Sequence, residues 1–418
     1  MAHDSSSAGV PDATALERLD RLELYLKADP NNALLLSDAF ELALQCGQWD
    51  RAEFHLRHGQ ALQTDTLSWG LKEGDFLLAQ ARYTEAREAL KALQKVDHPP
   101  ASFAAVLLHN LAYIEFRQGQ YAACVEQLST YLDTFSRPDR ADTFKNNAGA
   151  PLPLEEQLLQ QLWLRSLHRL VDLERACAWT RKAEDQQSLD FRAAGIASLI
   201  AVDAADFVAA RRWVDFALQY AQREQSSASL PIEVFVTQAT LALAARQAEM
   251  AIHWADQALQ LNADDGRAWS ARAFALLLKG DLKAARRDFA RALHGIPEHI
   301  GTWHGQGWTQ LLQQDVDAAQ DSFASALALD RNFAESHGGL AVVLALKHQN
   351  DNAQQHAERA LGLDKNNLSG RYAQAILNGD VTDAEAVQRL AQRLLAGRVD
   401  LLKGEMLDIV ASPSKSHL

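Results

Sequence analysis

Four alanines, Ala251, Ala285, Ala319 and Ala353, stand at successive intervals of 34 residues. Around the second, the chain reads Gly280-x-Leu282-x-x-Ala285-x-x-x-Phe289-x-x-Ala292 and closes at Pro297. Around the third it reads Ala319-x-x-x-Phe323-x-x-Ala326. Trp269 and Trp303 each stand 16 residues before one of these alanines, and Gly307 follows Trp303 by four. A fixed period within roughly 20 to 50 residues, with small and bulky residues at set places, marks a solenoid of stacked supersecondary units. Two short helices that cross closely need a small side chain where their backbones meet. They need bulky ones, such as Trp269, Leu282 and Phe289, to fill the groove beside it. Neither helix buries its apolar face alone, so each unit must stack on the next.

The small-residue position can be traced through Ala52, Ala86, Cys124, Ala176, Ala210, Ala251, Ala285, Ala319 and Ala353, at intervals of 34, 38, 52, 34, 41, 34, 34 and 34. The turn before it recurs as Gly47-x-Trp49-x-x-Ala52, Arg82-Tyr83-x-x-Ala86 and Gly119-x-Tyr121-x-x-Cys124. The string Asp-x-x-Ala-Ala-Arg-Arg occurs at Asp206 to Arg212 and again at Asp281 to Arg287, as copies of one unit would give. Leu19, Leu22 and Leu26 lead into Ala28-Asp29-Pro30, which reads as the second half of a unit and its closing turn. The surplus in the long interval falls on Ser136 to Pro153, rich in Pro, Asn and Gly, and Gln225 to Pro231 accounts for the excess of seven; both read as loops.

These residues resemble the tetratricopeptide repeat (TPR) family. The resemblance implies an all-α chain, a right-handed α-solenoid of about nine TPR helical hairpins with an N-terminal half-repeat and a C-terminal capping helix. The expected divisions are a disordered segment at 1–14, the half-repeat and repeats 1–3 at 15–135, a loop at 136–155, repeats 4–5 at 156–224, a short loop at 225–231, repeats 6–9 at 232–367, a helical cap at 368–411 and a flexible tail at 412–418. In the family, positions 2, 5, 9, 12 and 13 of each first helix line the concave groove. With Trp269 and Trp303 at position 4, the groove residues become Arg267, Ser270, Phe274 and Leu277 in one repeat and His304, Trp308 and Leu311 in the next. Framing on Cys124 adds His109, Tyr113 and Phe116; the fourth and fifth repeats add Arg165, His168, Arg169 and Arg192. The stripe is aromatic and apolar at both ends and basic in the middle. The Lys and Asn with which chaperone-tail receptors of the family clamp a terminal carboxylate are replaced here by His304/Trp308, Ser270/Phe274 and His109/Tyr113, which argues against that role. The implied function is a non-enzymatic interaction scaffold that holds a partner protein or peptide in the groove. The alternatives are a dedicated regulatory or chaperone subunit and, less favoured, a self-assembling structural scaffold.

Composition narrows the partner. The formal charge is −13 with no basic run longer than two, which argues against nucleic acid and for a basic or amphipathic protein segment. Cys46, Cys124 and Cys177 form no CxxC, and Cys124 takes a packed small-residue position. The first residues lack the basic and apolar regions of a signal peptide, and no apolar run is long enough to span a bilayer, so a soluble, cytoplasmic protein is expected. His55 and His58 stand three apart on a helix without an evident third ligand, so no metal is expected. His304-Gly305-Gln306-Gly307 and His337-Gly338-Gly339 look like oxyanion-hole strings, but no Gly-x-Ser-x-Gly elbow accompanies them. No cofactor and no catalytic residue is assigned. Ser416-His417-Leu418 is similar to a peroxisomal address and is read as a polar tail.

Overall fold

The computed structural model describes residues 13–96, 99–132, 152–223 and 230–379. Among them every regular element is a helix: α1 (Ala13–Ala28), α2 (Ala33–Gln45), α3 (Trp49–Ala61), α4 (Thr66–Ala79), α5 (Tyr83–Leu93), α6 (Ala101–Arg117), α7 (Tyr121–Leu132), α8 (Leu154–Arg169), α9 (Leu173–Asp185), α10 (Phe191–Asp203), α11 (Phe207–Arg223), α12 (Ile232–Ala244), α13 (Ala248–Leu261), α14 (Gly266–Lys279), α15 (Leu282–Gly295), α16 (Ile300–Leu312), α17 (Val316–Leu329), α18 (Ala334–Leu346), α19 (Asn350–Leu363) and α20 (Leu368–Leu377). Two compact units divide the chain, 1–166 and 167–418. The N-terminal segment 1–12, most of the expected loops at 136–155 and 225–231, and the cap and tail beyond Gly379 lie outside the described residues.

The hairpins turn in one way throughout. Five residues before each traced small residue the backbone is left-handed: Gly47, Ala81, Gly119, Val171, Ala205, Arg246, Gly280, Gln314 and His348 all have positive φ. The next residue's N–H then reaches back to the fifth carbonyl before it, as in Gln48→Ala43, Arg82→Leu77, Asp281→Leu276 and Asp315→Gln310, at 2.9–3.0 Å. This closure satisfies a carbonyl that the end of the first helix would otherwise orphan, and the left-handed residue makes it sterically reachable. Only three of the nine left-handed residues are glycine, so six side chains are held where L-residues meet their own carbonyl. In Asp206, Asp281 and Asp315 the residue after the turn also caps the second helix, accepting from Ala209, Ala284 and Ala318 N–H.

All nine traced small residues, eight alanines and Cys124, are fully buried. Glycines bring neighbouring helices equally close in the second unit. Phe289 of α15 lies against Gly305 of α16, where a Cβ would come within 2.4 Å of its ring. Phe323 of α17 lies in the same way against Gly339 of α18, at 2.6 Å, and against Gly307, at 2.9 Å. The two histidine–glycine strings are thus close-packing surfaces for phenylalanine. In the first unit, α1 supplies Leu19 and Leu26 to a core with Leu36, Phe40, Leu56 and Trp69. At the far end of the second, α20 buries Ala373 against Leu340, Val343 and Phe323.

The turns between repeats are closed by one side chain at a 34-residue interval. Trp269 Nε1 donates to the Ala263 carbonyl and Trp303 Nε1 to Pro297, both at 2.7 Å. His337 Nε2 donates to Arg331 at 3.0 Å and Arg371 Nη2 to Lys365 at 2.7 Å. In each case the acceptor is six residues upstream.

Replacing Val171, a β-branched residue at φ +57, by glycine should stabilise the protein by about 1 kcal/mol, since the relief of left-handed strain exceeds the added unfolded-state entropy. Chemical denaturation of Val171→Gly measures it; a midpoint equal to or below that of the wild type would contradict the strain argument.

Candidate partner-binding surface

The residues expected in the groove of the second unit lie mostly in its interior. Phe274, Leu277, His304, Trp308 and Leu311 are all buried, Trp308 to 5% exposure and His304 completely. Phe274 meets Phe289 edge to face at 4.9 Å, and Trp308 meets Phe323 in the same way at 5.4 Å. The His304 ring lies between Phe323 and Phe333, and its Nε2 is 2.8 Å from Ser336 Oγ. Ser270 Oγ is likewise 2.9 Å from Thr302 Oγ. Both bonds join one repeat's first helix to the residue 32 further on, in the next repeat's first helix. The expected groove-facing side chains of α14 and α16 are therefore consumed by stacking. The physical reason is close approach: glycines on the first helices, such as Gly305, which lies against both Phe289 and Phe274, let the neighbouring helices close over these rings.

Arg267 is also committed within the unit. Its guanidinium binds Asp203 at the end of α10 with two bonds of 2.8 Å, and His168 Nε2 reaches the same carboxylate at 2.7 Å. Burial opposes ionisation of Asp203, but Arg267 and His168 outweigh it and hold the acid well below the usual carboxylate range. The pair joins α14 to α10 across the intervening repeat. Removing one member of such a pair leaves an unpaired buried charge. Arg192 is half-buried with its guanidinium 4.5 Å from the Phe191 ring, which stacks on Tyr220 at 4.8 Å. Arg169 is exposed.

The first unit presents its groove residues differently. His109, Tyr113 and Phe116 lie on α6 and all three are half-buried. His109 and Tyr113 stack with ring centroids 5.9 Å apart and planes 16° from parallel. Arg117, exposed at the end of the helix, donates to Tyr113 Oη at 2.8 Å and lies over its ring at 5.7 Å. Phe116 meets Tyr121 edge to face at 5.3 Å. Asn110, buried beside them, donates to Asp75 of α4 at 2.8 Å and fixes the α6 register against the preceding repeat. Burial holds His109 below the ordinary histidine range, so it is an uncharged stacking surface near neutral pH. Arg165 of α8 is half-buried in the same unit. Arg117 was missed in the sequence, although position 13 of the repeat frame falls on it.

The remaining candidates resolve simply. His55 Nε2 pairs with Glu23 at 3.0 Å and His58 Nε2 with Asn31 at 3.2 Å, so the two rings serve different partners. No group of three or more His, Cys, Asp or Glu among the described residues is arranged to hold a metal ion. Burial pushes the Cys124 thiol up to about 11, and a protonated thiol is a poor nucleophile. No helix among the described residues is long and apolar enough to cross a membrane.

The traced small residues and the left-handed turns share the intervals 34, 38, 52, 34, 41, 34, 34 and 34. The architecture is that of an all-α solenoid of helical hairpins, as the TPR resemblance implies. No protein-family model matches the sequence, and no curated protein matches it. Solved structures similar to it include YrrB, described as a TPR protein with an unusual peptide-binding site, at 16% identity and a TM-score of 0.34 over 47% of this chain and 96% of that one. MamA gives 14% and 0.33 over 40% and 92%, and the APC/C hetero-tetramer Cut9–Hcn1 gives 14% and 0.38 over 87% and 92%.

Two outcomes follow for this solenoid interior. Trp308→Ala should cost about 3–5 kcal/mol of stability, the range for a large core truncation, read as a lower melting temperature of the second unit; a loss within measurement error would mean the ring is not core. His304 is the second case. Burial holds it at about 3, against an ordinary 6.5. Between those values the unfolded chain carries a proton that the folded one refuses, so stability is complete above about pH 6.5 and falls as the pH drops, approaching about 1.4 kcal/mol per unit. His304→Gln should flatten that slope in denaturation curves measured from pH 7 to 5.

Proposed function

We propose that the chain is a non-enzymatic scaffold that holds a segment of a partner protein on the α6 face of its first unit, with Tyr113 as the central contact. The observation that carries this reading is the contrast between equivalent positions. Phe274 and Trp308 are buried, each packed edge to face on a phenylalanine of its own hairpin's second helix, whereas Tyr113 at the same repeat position is half-buried, stacked on His109 and bonded to Arg117. A ring stacked on a neutral imidazole and hydrogen-bonded to a guanidinium is already ordered, so little rotamer entropy remains to be lost on binding. Tyr and Arg are the residue types that most often dominate such contacts. The ligand that fits is a short segment with an apolar or aromatic side chain to cover Tyr113. A net charge of −13 favours a segment that is basic or amphipathic overall.

The reading is tested by capturing partners from the native cell with wild type and with Tyr113→Ala, then titrating the partner recovered. The substitution should weaken binding about tenfold or more, and circular dichroism should show an unchanged helical content. Equal affinity of the two proteins for that partner would move the site elsewhere. Trp308→Ala is the control, since it should lose stability without lowering the affinity of the molecules that remain folded.

A further inference from the structure

Phe54, in the second helix of the first repeat, is 65% exposed, more than any other aromatic side chain among the described residues. It stands two residues after the crossing alanine, Ala52. The same place in the other eight repeats holds Glu88, Glu126, Ala178, Arg212, His253, Arg287, Asp321 and Gln355. Packing thus asks for no large apolar side chain there, and this phenylalanine is surplus to the fold.

The bonds between α1 and α3 decide what lies beside it. Arg51 of α3 donates to Asp20 and Glu23 of α1 at 2.6 and 2.8 Å. Further along, His55 Nε2 is 3.0 Å from Glu23 and His58 Nε2 is 3.2 Å from Asn31. The two helices therefore run parallel, with residue 51 level with residues 20–23. Residues three or four apart share a helix face. Leu24 is four past Asp20 and Phe54 is three past Arg51, so both flank the seam one turn beyond the Asp20–Arg51 bridge. Leu24 is 59% exposed. His55 and His58 meet the Phe54 ring edge to face at 5.4 and 6.1 Å. One turn or two upstream, the outer face is acidic, with Glu17, Asp20 and Asp50 all exposed. Downstream stands Lys27, while Arg57 is engaged by Glu53 and Glu73.

We propose that the Leu24–Phe54 seam is a second docking surface, separate from the α6 face, and that it takes a basic amphipathic helix of a partner protein. An apolar patch rimmed by charge marks an interaction site when packing does not account for it. Apolar side chains of the partner helix cover Leu24 and Phe54, as in other complexes of a helix laid along a groove. A lysine or arginine about a turn away meets Glu17, Asp20 and Asp50, and this one-ended charge sets the direction in which the helix lies. The net charge of −13 works against a second copy of the chain, or an anionic membrane, as the occupant.

The surface is tested with a synthetic Leu/Lys amphipathic peptide helix carrying a fluorescent label, titrated into the full chain and followed by anisotropy. Hydrogen exchange locates the peptide. The wild type should bind it with protection on α1 and α3, and a Leu/Glu peptide of the same pattern should not bind. Leu24→Ser combined with Phe54→Ser should weaken binding about tenfold or more at an unchanged melting temperature, because both side chains are exposed. Glu17→Gln combined with Asp50→Asn leaves the apolar pair intact; it should also weaken binding and reduce its salt dependence. Tyr113→Ala should bind the peptide as the wild type does. Equal affinity of the Leu24→Ser/Phe54→Ser protein, protection elsewhere, or loss of binding in Tyr113→Ala would overturn the proposal. So would a wild-type dimer in light scattering that the Leu24→Ser/Phe54→Ser protein does not form, which would assign the seam to a second copy.

Discussion

Everything in this molecule depends on how closely two helices are allowed to approach. At nine places the approach is set by a side chain no larger than a methyl or thiol group, and each of the nine is sealed from water. The hairpin is completed by a left-handed residue five positions earlier. These two requirements are coupled. The left-handed turn redirects the chain within one residue, and the short crossing distance lets a two-helix unit bury enough surface to repay it. Where the left-handed residue is Arg246, Gln314 or His348, the strain is tolerated because the reach-back hydrogen bond and the crossing are both already determined by packing.

Stacking one hairpin on the next sets the second constraint, and it decides where binding can occur. In the second unit, first helices exchange hydrogen bonds from Ser270 to Thr302 and between His304 and Ser336, while Ser369 and Asn367 both donate to Glu335. Around these bonds the space is filled by Phe274, Trp308 and Phe323. Such an interior holds its repeats in fixed register and offers little side-chain surface at those positions. In the first unit the register of α6 is held by Asn110 and Asp75, two short polar groups, and the larger rings of His109 and Tyr113 are only half-buried. The difference lies in which residue carries the inter-repeat bond.

The fold was legible in the sequence because it is written in residue size at a fixed period. Cys124 was recognisable as a crossing residue from spacing alone, and it is fully buried. The site was less legible, and the reason is specific. The repeat frame states which way a side chain leaves its own helix but is silent on how far away the next helix lies. Trp308 and Tyr113 hold the same repeat position, yet one meets Phe323 at 5.4 Å and is buried, and the other meets His109 and is half-buried. Arg267 likewise leaves its helix as the frame requires. Its destination, Asp203, is 64 residues away, and nothing local to either residue announces the pair.

The turn-closing position carries the argument one step further. A repeat pattern is usually read as a demand for a particular residue, such as tryptophan at position 4. Here Trp269, Trp303, His337 and Arg371 all make the same bond to the carbonyl six residues before them. What the fold demands is a donor long enough to reach, and it is indifferent to the rest of the side chain. The surplus chemistry is then free to differ between repeats. In Trp269 it is a π-face that receives Arg272 at 4.3 Å and Arg291 at 4.5 Å. In His337 it is a lone pair directed at a second imidazole. A solenoid can thus acquire a chemically distinct locus at one repeat without altering the packing of any other, because the structural duty is discharged by one atom of the side chain and the new property by another.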